Sequence, residues 1–158
     1  MKNVIITIVT MLTAVAFSQN NNHSNTTTMF TIEQIKEAHS KVKSGADFPN
    51  YAQEIKKLGV ASYSTFVTDG HTVFFGSYGY TTESPAKYEA MPIADKSNKQ
   101  QLEKDLKVHQ DGGTDYSTFC RQAADAGVEK WTVDLEQMTC TYYDKAGNSL
   151  IIEKIPEE

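Results

Sequence analysis

The stretch GVASYSTFVTDGHTVFFG, residues 59–76, decides the fold because it indicates two strands joined by a tight turn. β-Branched and aromatic residues run along both sides of Asp69-Gly70, and Asp-Gly is typical of two-residue hairpin turns. In such a hairpin Thr68 lies opposite His71, and alternate side chains point to opposite faces of the sheet. The more apolar face should lie under helices, and His71 belongs to the other face. The stretch therefore predicts a β-hairpin with His71 at its surface.

The same pattern occurs a second time, in GVEKWTVDLEQMTCTYYD, residues 127–144. The two stretches align at a constant offset of 68, and the alignment extends without a gap over residues 47–82 and 115–150. At this spacing glycines recur, aromatic residues stand opposite aromatic residues, and aliphatic residues stand opposite aliphatic ones. We interpret the pattern as an internal duplication, with repeat halves at about 31–82 and 97–152.

Two helices precede the strands in each half. The segments TIEQ (31–34) and SNKQ (97–100) both match the capping box that begins a helix, a hydroxyl residue followed three positions later by Gln. Asp47 and Asp115 are the predicted N-caps of the second helices. The glycines expected where these second helices end are Gly59 and Gly127. The order helix–helix–strand–strand, with a short third strand, predicts an α+β fold with helices packed on one face of an antiparallel sheet.

The beginning of the chain has the three-part pattern of a secretory signal peptide. Lys2 supplies a positive charge, an apolar run follows, and the small residues Ala16 and Ser18 precede the expected cleavage site. The run is shorter than the ~20 residues that a membrane-spanning helix needs. We therefore predict a signal peptide at 1–18, a disordered polar spacer at 19–28 and a single domain at 29–158. The protein should be exported to the periplasm or secreted by a bacterium, and should not span a membrane after cleavage.

The charge of the chain bears on its partners. It contains 20 Asp and Glu residues against 15 Lys and Arg residues, a formal net charge of −5, and Arg121 is its single arginine. Nucleic-acid binding requires a basic surface, so this acidic composition argues against it. No cofactor-binding motif occurs, and we expect no cofactor. The remaining partners are a small ligand or another protein, and the sequence leaves open whether the protein is a monomer or a dimer.

Three histidines and two tyrosines are the candidate ligand-binding residues. His71 either forms part of a functional site or only closes the hairpin. His39 and His109 recur on the apolar faces of the first helices, where they either pack in the core or meet as a proton-handling or metal pair. Their spacing does not match a metal-binding motif, so we predict no metal site. Tyr78 and Tyr80, together with Tyr88, Tyr142 and Tyr143, either line a shallow groove between the halves or pack in the sheet.

Cys120 and Cys140 occupy predicted core positions in the second half, where the first half has Ala52 and Thr72. An exported chain with an even number of cysteines favours a disulfide, and two buried free thiols are the alternative. No motif of a known hydrolase, kinase or metalloprotease occurs. We therefore expect a non-catalytic binding domain. The alternative is an uncharacterised enzyme or metal-binding protein that uses His39, His71 and His109.

Five stretches of the chain are similar to a known family. They are MFTIEQIKEAHSKVKSGADFPNY (29–51), DGHTVFFG (69–76), SPAKYEAMPIAD (84–95), TDYSTFC (114–120) and KWTVDLEQMTCTYYDKAGN (130–148). They closely resemble the YbcV-like family, small bacterial domains of unknown function that are sometimes labelled phage envelope proteins. The resemblance implies a compact α+β domain without an assigned activity, so no catalytic residues carry over. Family members usually lack an export signal, and the predicted signal peptide departs from them in this respect.

Overall fold

Six antiparallel strands and four helices make up the part of the chain that the computed structural model describes, residues 29–42 and 47–156. The predicted signal peptide (1–18) and spacer (19–28) lie outside the described residues. The elements are α1 (Ile32–His39), α2 (Phe48–Lys57), β1 (Val60–Phe66), β2 (Thr72–Gly76), β3 (Thr81–Glu83), α3 (Lys99–Gln110), α4 (Tyr116–Asp125), β4 (Val128–Asp134), β5 (Thr139–Asp144) and β6 (Ser149–Lys154). None of these helices combines the length and apolar character that crossing a membrane requires.

The strand order in the sheet is β3-β2-β1-β4-β5-β6, so β1 and β4 are its central pair. These two strands run antiparallel, and Ser64 lies opposite Thr132. Their hydroxyl oxygens are 2.8 Å apart, and the two residues are separated by the same 68 positions that align the sequence halves. The α+β prediction is confirmed, and the internal duplication stays a prediction.

The β1–β2 hairpin has a longer loop than the sequence predicts. The Phe66 N–H donates to the His71 carbonyl oxygen at 3.0 Å, so four residues, 67–70, form the loop. The predicted two-residue turn, with Thr68 opposite His71, is therefore wrong by two residues in register. Thr68 instead donates its hydroxyl to the Met91 carbonyl oxygen at 3.1 Å, a contact that a local turn rule does not include. A shift of two residues keeps every side chain on its predicted face, and His71 stays on the face that we expected.

One face of the sheet forms the floor of the core. Its buried side chains include Tyr63, Val67, Phe74, Trp131, Val133, Leu135, Cys140 and Tyr142. The α4 helix packs on this face, because the ring centroids of Phe119 and Trp131 are 6.0 Å apart. On the other face the His71 ring stacks on Phe66. The two faces thus differ in the way that the alternating pattern predicts.

The helix caps explain where three of the helices begin. Thr31 and Gln34 form the predicted capping box of α1. The Asp115 carboxylate accepts a hydrogen bond from the Thr118 N–H at 2.7 Å, as expected of an N-cap. The predicted box at 97–100 is wrong by one residue, because Asn98 is the cap of α3. Asn caps a helix as well as Ser does, which makes neighbouring positions hard to separate by sequence.

A segment without helix or strand, residues 84–98, connects the two predicted halves, and we call it the bridge. It first follows the β1–β2 loop, where the Met91 N–H donates to the Thr68 carbonyl oxygen at 2.7 Å. It then follows the end of α4, where the Asn98 N–H donates to the Ala126 carbonyl oxygen at 2.9 Å. These backbone hydrogen bonds fix the bridge against elements of both halves.

Candidate functional site

Five chemically active side chains lie where the bridge meets helices of both predicted halves. We call this group the inter-half cluster, and its members are His39, Lys87, Tyr88, Tyr116 and Cys120. The Lys87 Nζ atom lies 5.4 Å from the centroid of the Tyr116 ring. The pKa of Cys120 is lowered by the hydroxyls of Tyr88 and Tyr116 and by the charge of Lys87. The charge of Lys87 also lowers the pKa of His39. The cluster thus brings together an amine, an imidazole, a thiol and two phenols.

The α4 helix supplies two members of the inter-half cluster. Tyr116 is the first residue of the helix and Cys120 follows four residues later. This spacing places both side chains on one face, about one turn apart. Cys120 is completely buried, whereas Tyr116 is 41% exposed. The helix therefore presents an accessible aromatic ring above a buried thiol.

The bridge supplies Lys87 and Tyr88, and the β1–β2 loop holds both in place. The Lys87 N–H donates to the Asp69 carbonyl oxygen at 2.8 Å, and the Tyr88 hydroxyl donates to the Val67 carbonyl oxygen at 2.8 Å. A Cβ atom on Gly70, whose φ is +75°, would lie 2.7 Å from Cε1 of Tyr88. Glycine therefore allows both the turn and the close approach of the ring.

The Lys87 ammonium carries a charge that the surrounding protein only partly compensates. Its side chain reaches solvent, yet burial of the ammonium lowers the pKa of Lys87, and the nearby Cys120 opposes this shift. The ion pairs formed among the described residues do not include Lys87. The Tyr116 ring contributes a cation–π contact, which is weaker than an ion pair with a carboxylate.

His39 lies at the end of α1, beside the Lys87 amine. Burial lowers the pKa of His39, and the positive charge of Lys87 lowers it further. The His39 ring meets the Tyr51 ring edge to face, with their centroids 5.3 Å apart. Burial and the Lys87 charge thus both favour the neutral form of the His39 imidazole, which can accept or donate a proton.

The Cys120 thiol is unsuited to act as a nucleophile. Burial raises its pKa, and the Tyr88 and Tyr116 hydroxyls and the Lys87 charge only partly oppose the shift. Burial also raises the pKa of both phenols, so they remain protonated hydrogen-bond donors. A nucleophilic cysteine requires the thiolate form, which these surroundings disfavour.

His71 lies outside the inter-half cluster, on the opposite face of the sheet. Its Nδ1 atom is 2.5 Å from Oδ1 of Asp69, and its ring stacks on Phe66 with a centroid distance of 4.4 Å. The hydrogen bonds from His71 lower the pKa of Asp69. The Lys130 Nζ atom lies 5.6 Å from the centroid of the Phe66 ring. The hairpin histidine is thus fixed by a carboxylate and an aromatic ring.

His109 lies against an aromatic residue of its own half, as His39 does. Its ring stacks on Phe119 with a centroid distance of 4.5 Å, and its Nδ1 atom is 3.0 Å from the Thr114 carbonyl oxygen. The described part of the chain has no group of three or more His, Cys, Asp or Glu side chains that could hold a metal ion. His39, His71 and His109 therefore have separate sets of partners.

The two candidate tyrosines have different surroundings. The Tyr80 hydroxyl donates to the Phe30 carbonyl oxygen at 2.8 Å, and the two rings meet edge to face. Tyr80 thus anchors the beginning of the described domain. Tyr78 is 91% exposed and has a φ of +56° in the tight turn Ser77–Gly79. The hydrogen bond and the ring contact of Tyr80 join it to Phe30 and not to a member of the inter-half cluster.

Both cysteines are buried free thiols in this structure. Cys140 is a neighbour of Tyr142 and Glu153, whereas Cys120 faces Tyr88 and Tyr116. The disulfide stays a prediction, and counting of free thiols decides between the two states.

A family model matches the part of the chain that contains the inter-half cluster. The family described as "Protein of unknown function (DUF1398)" matches residues 36–154. The chain belongs to this DUF1398 family. The match includes all five members of the inter-half cluster and agrees with the expectation that no activity is assigned. The more specific YbcV-like assignment stays a prediction.

Three curated relatives of this DUF1398 protein carry names that describe them as uncharacterized. One is from Mycobacterium bovis and two are from Mycobacterium tuberculosis, and each is 28% identical over 102 residues. The aligned region covers 61% of this chain and 59% of each relative. The chain therefore spans less than two thirds of the length of these relatives.

Sequence reasoning named Tyr88 only as one of several groove candidates and missed Lys87 and Tyr116 as site residues. Lys87 lies in the bridge, which has no periodic pattern, and Tyr116 begins α4, where an aromatic residue predicts only packing. The length and irregularity of the bridge could have pointed to Lys87. Long irregular connections in small domains are uncommon and often functional, so the polar and aromatic residues of such a segment are site candidates.

Proposed function

We propose that this protein is an exported, non-catalytic binding domain that holds a small organic anion in the inter-half cluster. The observation that carries the proposal is the Lys87 ammonium, which is partly desolvated, accessible, and without a carboxylate partner among the described ion pairs. A desolvated charge gains more from a counter-ion than a fully hydrated charge does. The carboxylate of a ligand supplies that counter-ion.

The rings around Lys87 define the rest of the ligand. The exposed part of Tyr116 offers an aromatic surface, and the neutral His39 imidazole offers a hydrogen-bonding group. A planar aromatic carboxylate such as benzoate fits this combination, with its ring against Tyr116 and its carboxylate on Lys87. Hydrogen bonds to charged groups contribute about 1.5–3 kcal/mol, so benzoate should bind at least about tenfold more tightly than neutral benzamide.

Binding is favoured over catalysis because neither the cluster thiol nor the His71–Asp69 pair provides an activated nucleophile beside the bound anion. The thiol of the cluster is buried with a raised pKa, and the His71–Asp69 pair lies on the other face of the sheet. The alternative of an enzyme or metal protein that uses His39, His71 and His109 has no observation in its favour, since the three side chains have different partners.

Export is supported by the pattern of residues 1–18. We expect the mature protein outside the cytoplasm, in the periplasm or the medium of a bacterium. Cell fractionation followed by N-terminal sequencing tests this part: a mature chain that begins at Gln19 supports it, and an uncut chain in the cytoplasmic fraction contradicts it.

An NMR titration of the 15N-labelled protein tests the binding site. Benzoate should shift the amide resonances of Lys87 and Tyr116 at lower concentrations than benzamide does. Lys87→Gln should weaken benzoate binding at least about tenfold, because the charge is removed. Lys99→Gln is the matched control, since Lys99 is an exposed lysine on α3 that pairs only loosely with Glu103, at 3.9 Å. Equal benzoate affinity of wild type and Lys87→Gln would contradict the proposal.

The pH dependence gives a second test of the same site. Anion binding requires the ammonium form, so benzoate affinity should fall as pH rises through the pKa of Lys87. That pKa lies below the ordinary lysine value of 10.5, and the loss should therefore begin at a lower pH than at an ordinary lysine. Lys87→Arg should keep its affinity over the same range because arginine stays charged.

A further inference from the structure

We propose that two copies of this chain pair edge to edge through β6, so that their two sheets join into one continuous sheet. β6 is the last strand in the strand order and pairs only with β5 among the described strands. Its other edge therefore presents backbone N–H and C=O groups without a strand partner, which is the feature that recruits a further strand. β6 contributes no residue to the inter-half cluster, so this proposal does not depend on the anion site.

The two edges of the sheet differ in their protection against such pairing. β3, at the other end of the sheet, has only three residues, and a short edge strand offers few groups to a partner. β6 has six residues without a proline, and the Ile152 side chain in its middle is 66% exposed. A full-length edge strand with an exposed apolar side chain lacks the usual protection against a partner strand.

The charged side chains of β6 are held by groups of their own chain. The Lys154 ammonium donates to the Gln137 carbonyl oxygen at 3.2 Å, in the turn that joins β4 to β5. The Glu153 carboxylate accepts a hydrogen bond from the side-chain amide of Gln110, on α3, at 2.9 Å. Charged side chains prevent edge pairing when they extend across the free edge. These contacts hold both charges towards β5 and α3, and the free edge stays open.

The backbone direction of β6 specifies a register for the pairing. The Ile155 N–H donates to the Met138 carbonyl oxygen at 2.8 Å, on the side of β5. Backbone groups of successive residues in a strand point alternately to its two sides, so those of Ile152 point to the free edge. Two antiparallel copies can therefore place Ile152 opposite its own counterpart, with each N–H donating to the carbonyl oxygen of the other.

The strand is complementary to itself in this register, which is why a second copy fits better than an unrelated strand. Ile152 packs on its counterpart, and an exposed apolar side chain leaves water. Leu150 lies opposite Lys154 of the second copy and contacts the apolar stem of that lysine. Ile151 lies opposite Glu153, so like charges do not meet. Sliding one copy by two residues towards the Lys154 end would place Glu153 opposite itself, which repulsion disfavours.

Cysteine cross-linking tests the register. Opposite residues of a hydrogen-bonded pair have Cα atoms about 5.5 Å apart, within the range of a disulfide. Ile152→Cys should therefore give a disulfide-linked dimer under mild oxidation, seen on a non-reducing gel. Lys154→Cys is the matched control on the same face of β6, because its counterpart lies four residues away along the strand, at about 14 Å. The native Cys120 and Cys140 are buried and should not cross-link two folded chains.

Sedimentation equilibrium tests the association itself. The mass of the purified protein should rise from that of one chain towards that of two as its concentration increases. Ile152→Lys should weaken the dimer at least about tenfold, because it sets two ammonium groups opposite each other. Thr81→Lys, at an exposed position on β3, should leave the dimer unchanged. Circular dichroism checks that both variants keep the native fold.

The outcomes decide between a second copy and other occupants of the edge. Faster cross-linking of Ile152→Cys than of Lys154→Cys, together with dissociation by Ile152→Lys, supports the proposal. The mass of a single chain at every concentration overturns it, as does equal cross-linking of the two cysteine variants. Slow hydrogen exchange of the Ile152 amide in a single-chain protein also overturns it, because another segment of the same chain then covers the edge.

Discussion

Alanine at Gly127 should destabilise the protein more than alanine at Gly59, although both glycines end the second helix of a half and have positive φ values of +79° and +101°. A Cβ atom on Gly59 meets no atom within 4 Å. A Cβ atom on Gly127 would lie 2.8 Å from the Ser97 Cα and 2.9 Å from the Lys96 carbonyl oxygen. These are backbone atoms of the bridge, which is hydrogen-bonded to α4 and cannot move without breaking those contacts.

The two substitutions share one cost and differ in the other. A left-handed backbone costs an alanine about 1–2 kcal/mol, and this applies to Gly59→Ala and Gly127→Ala alike. Overlap with packed atoms adds about 1–3 kcal/mol, and this applies only to Gly127→Ala. We therefore expect the free energy of unfolding of Gly127→Ala to be about 1–3 kcal/mol lower than that of Gly59→Ala.

Urea unfolding followed by circular dichroism measures the difference. The m-values of both variants should equal that of the wild type, and the midpoints should fall in the order wild type, Gly59→Ala, Gly127→Ala. Equal midpoints for the two variants would refute the close contact between the bridge and the end of α4. Because the two glycines hold corresponding positions at the 68-residue offset, each is the control for the other.

Three further predictions concern a tyrosine, a carboxylate and the two cysteines. Tyr80→Phe should lower the free energy of unfolding in urea by about 0.5–1.5 kcal/mol, because it removes the hydrogen bond to the Phe30 carbonyl oxygen; an unchanged value would contradict this contact. Since His71 lowers the pKa of Asp69, this carboxylate stabilises the protein above about pH 4 and loses that effect as pH falls through its folded-state pKa. The difference in the free energy of unfolding between wild type and Asp69→Asn should therefore shrink in acid; a difference that stays constant would contradict this. The two buried cysteines should react with a thiol reagent only after unfolding, when two thiols should be titrated; no free thiol before reduction and two after it would establish a disulfide.

The sequence predicted the secondary structure well wherever neighbouring residues determine it. The second hairpin stretch, residues 127–144, contains β4 and β5, and the α1 capping box is present. The hairpin register was wrong because tertiary contacts extend the loop: the Val67 N–H donates to Glu129 of β4 and not to β2. Such a competition between distant strands leaves no local signal.

The candidate site was predictable only in part, for a related reason. Periodicity placed His39 on a helix and Cys120 in the core, but it gave no means of knowing that the bridge brings Lys87 close enough to affect the pKa of both. The path of the bridge depends on hydrogen bonds to loop carbonyl oxygens, such as that of Asp69, and every residue type offers such a carbonyl. A shared sequence position was also not enough to predict a shared site: His39 and His109 both lie near the ends of first helices, yet His39 contacts Tyr51 and His109 contacts Phe119.

The central strand pair has a consequence for the order of folding. Along the sheet, β1–β2, β2–β3, β4–β5 and β5–β6 each join strands that are consecutive in the chain, whereas β1–β4 joins residues such as Ser64 and Thr132, which are 68 positions apart. Pairing across that distance closes the longest loop and costs the most chain entropy. The two three-stranded parts can therefore form early and independently. Pairing of β1 with β4, where Ser64 contacts Thr132, is then the step that joins the two three-stranded parts into one sheet.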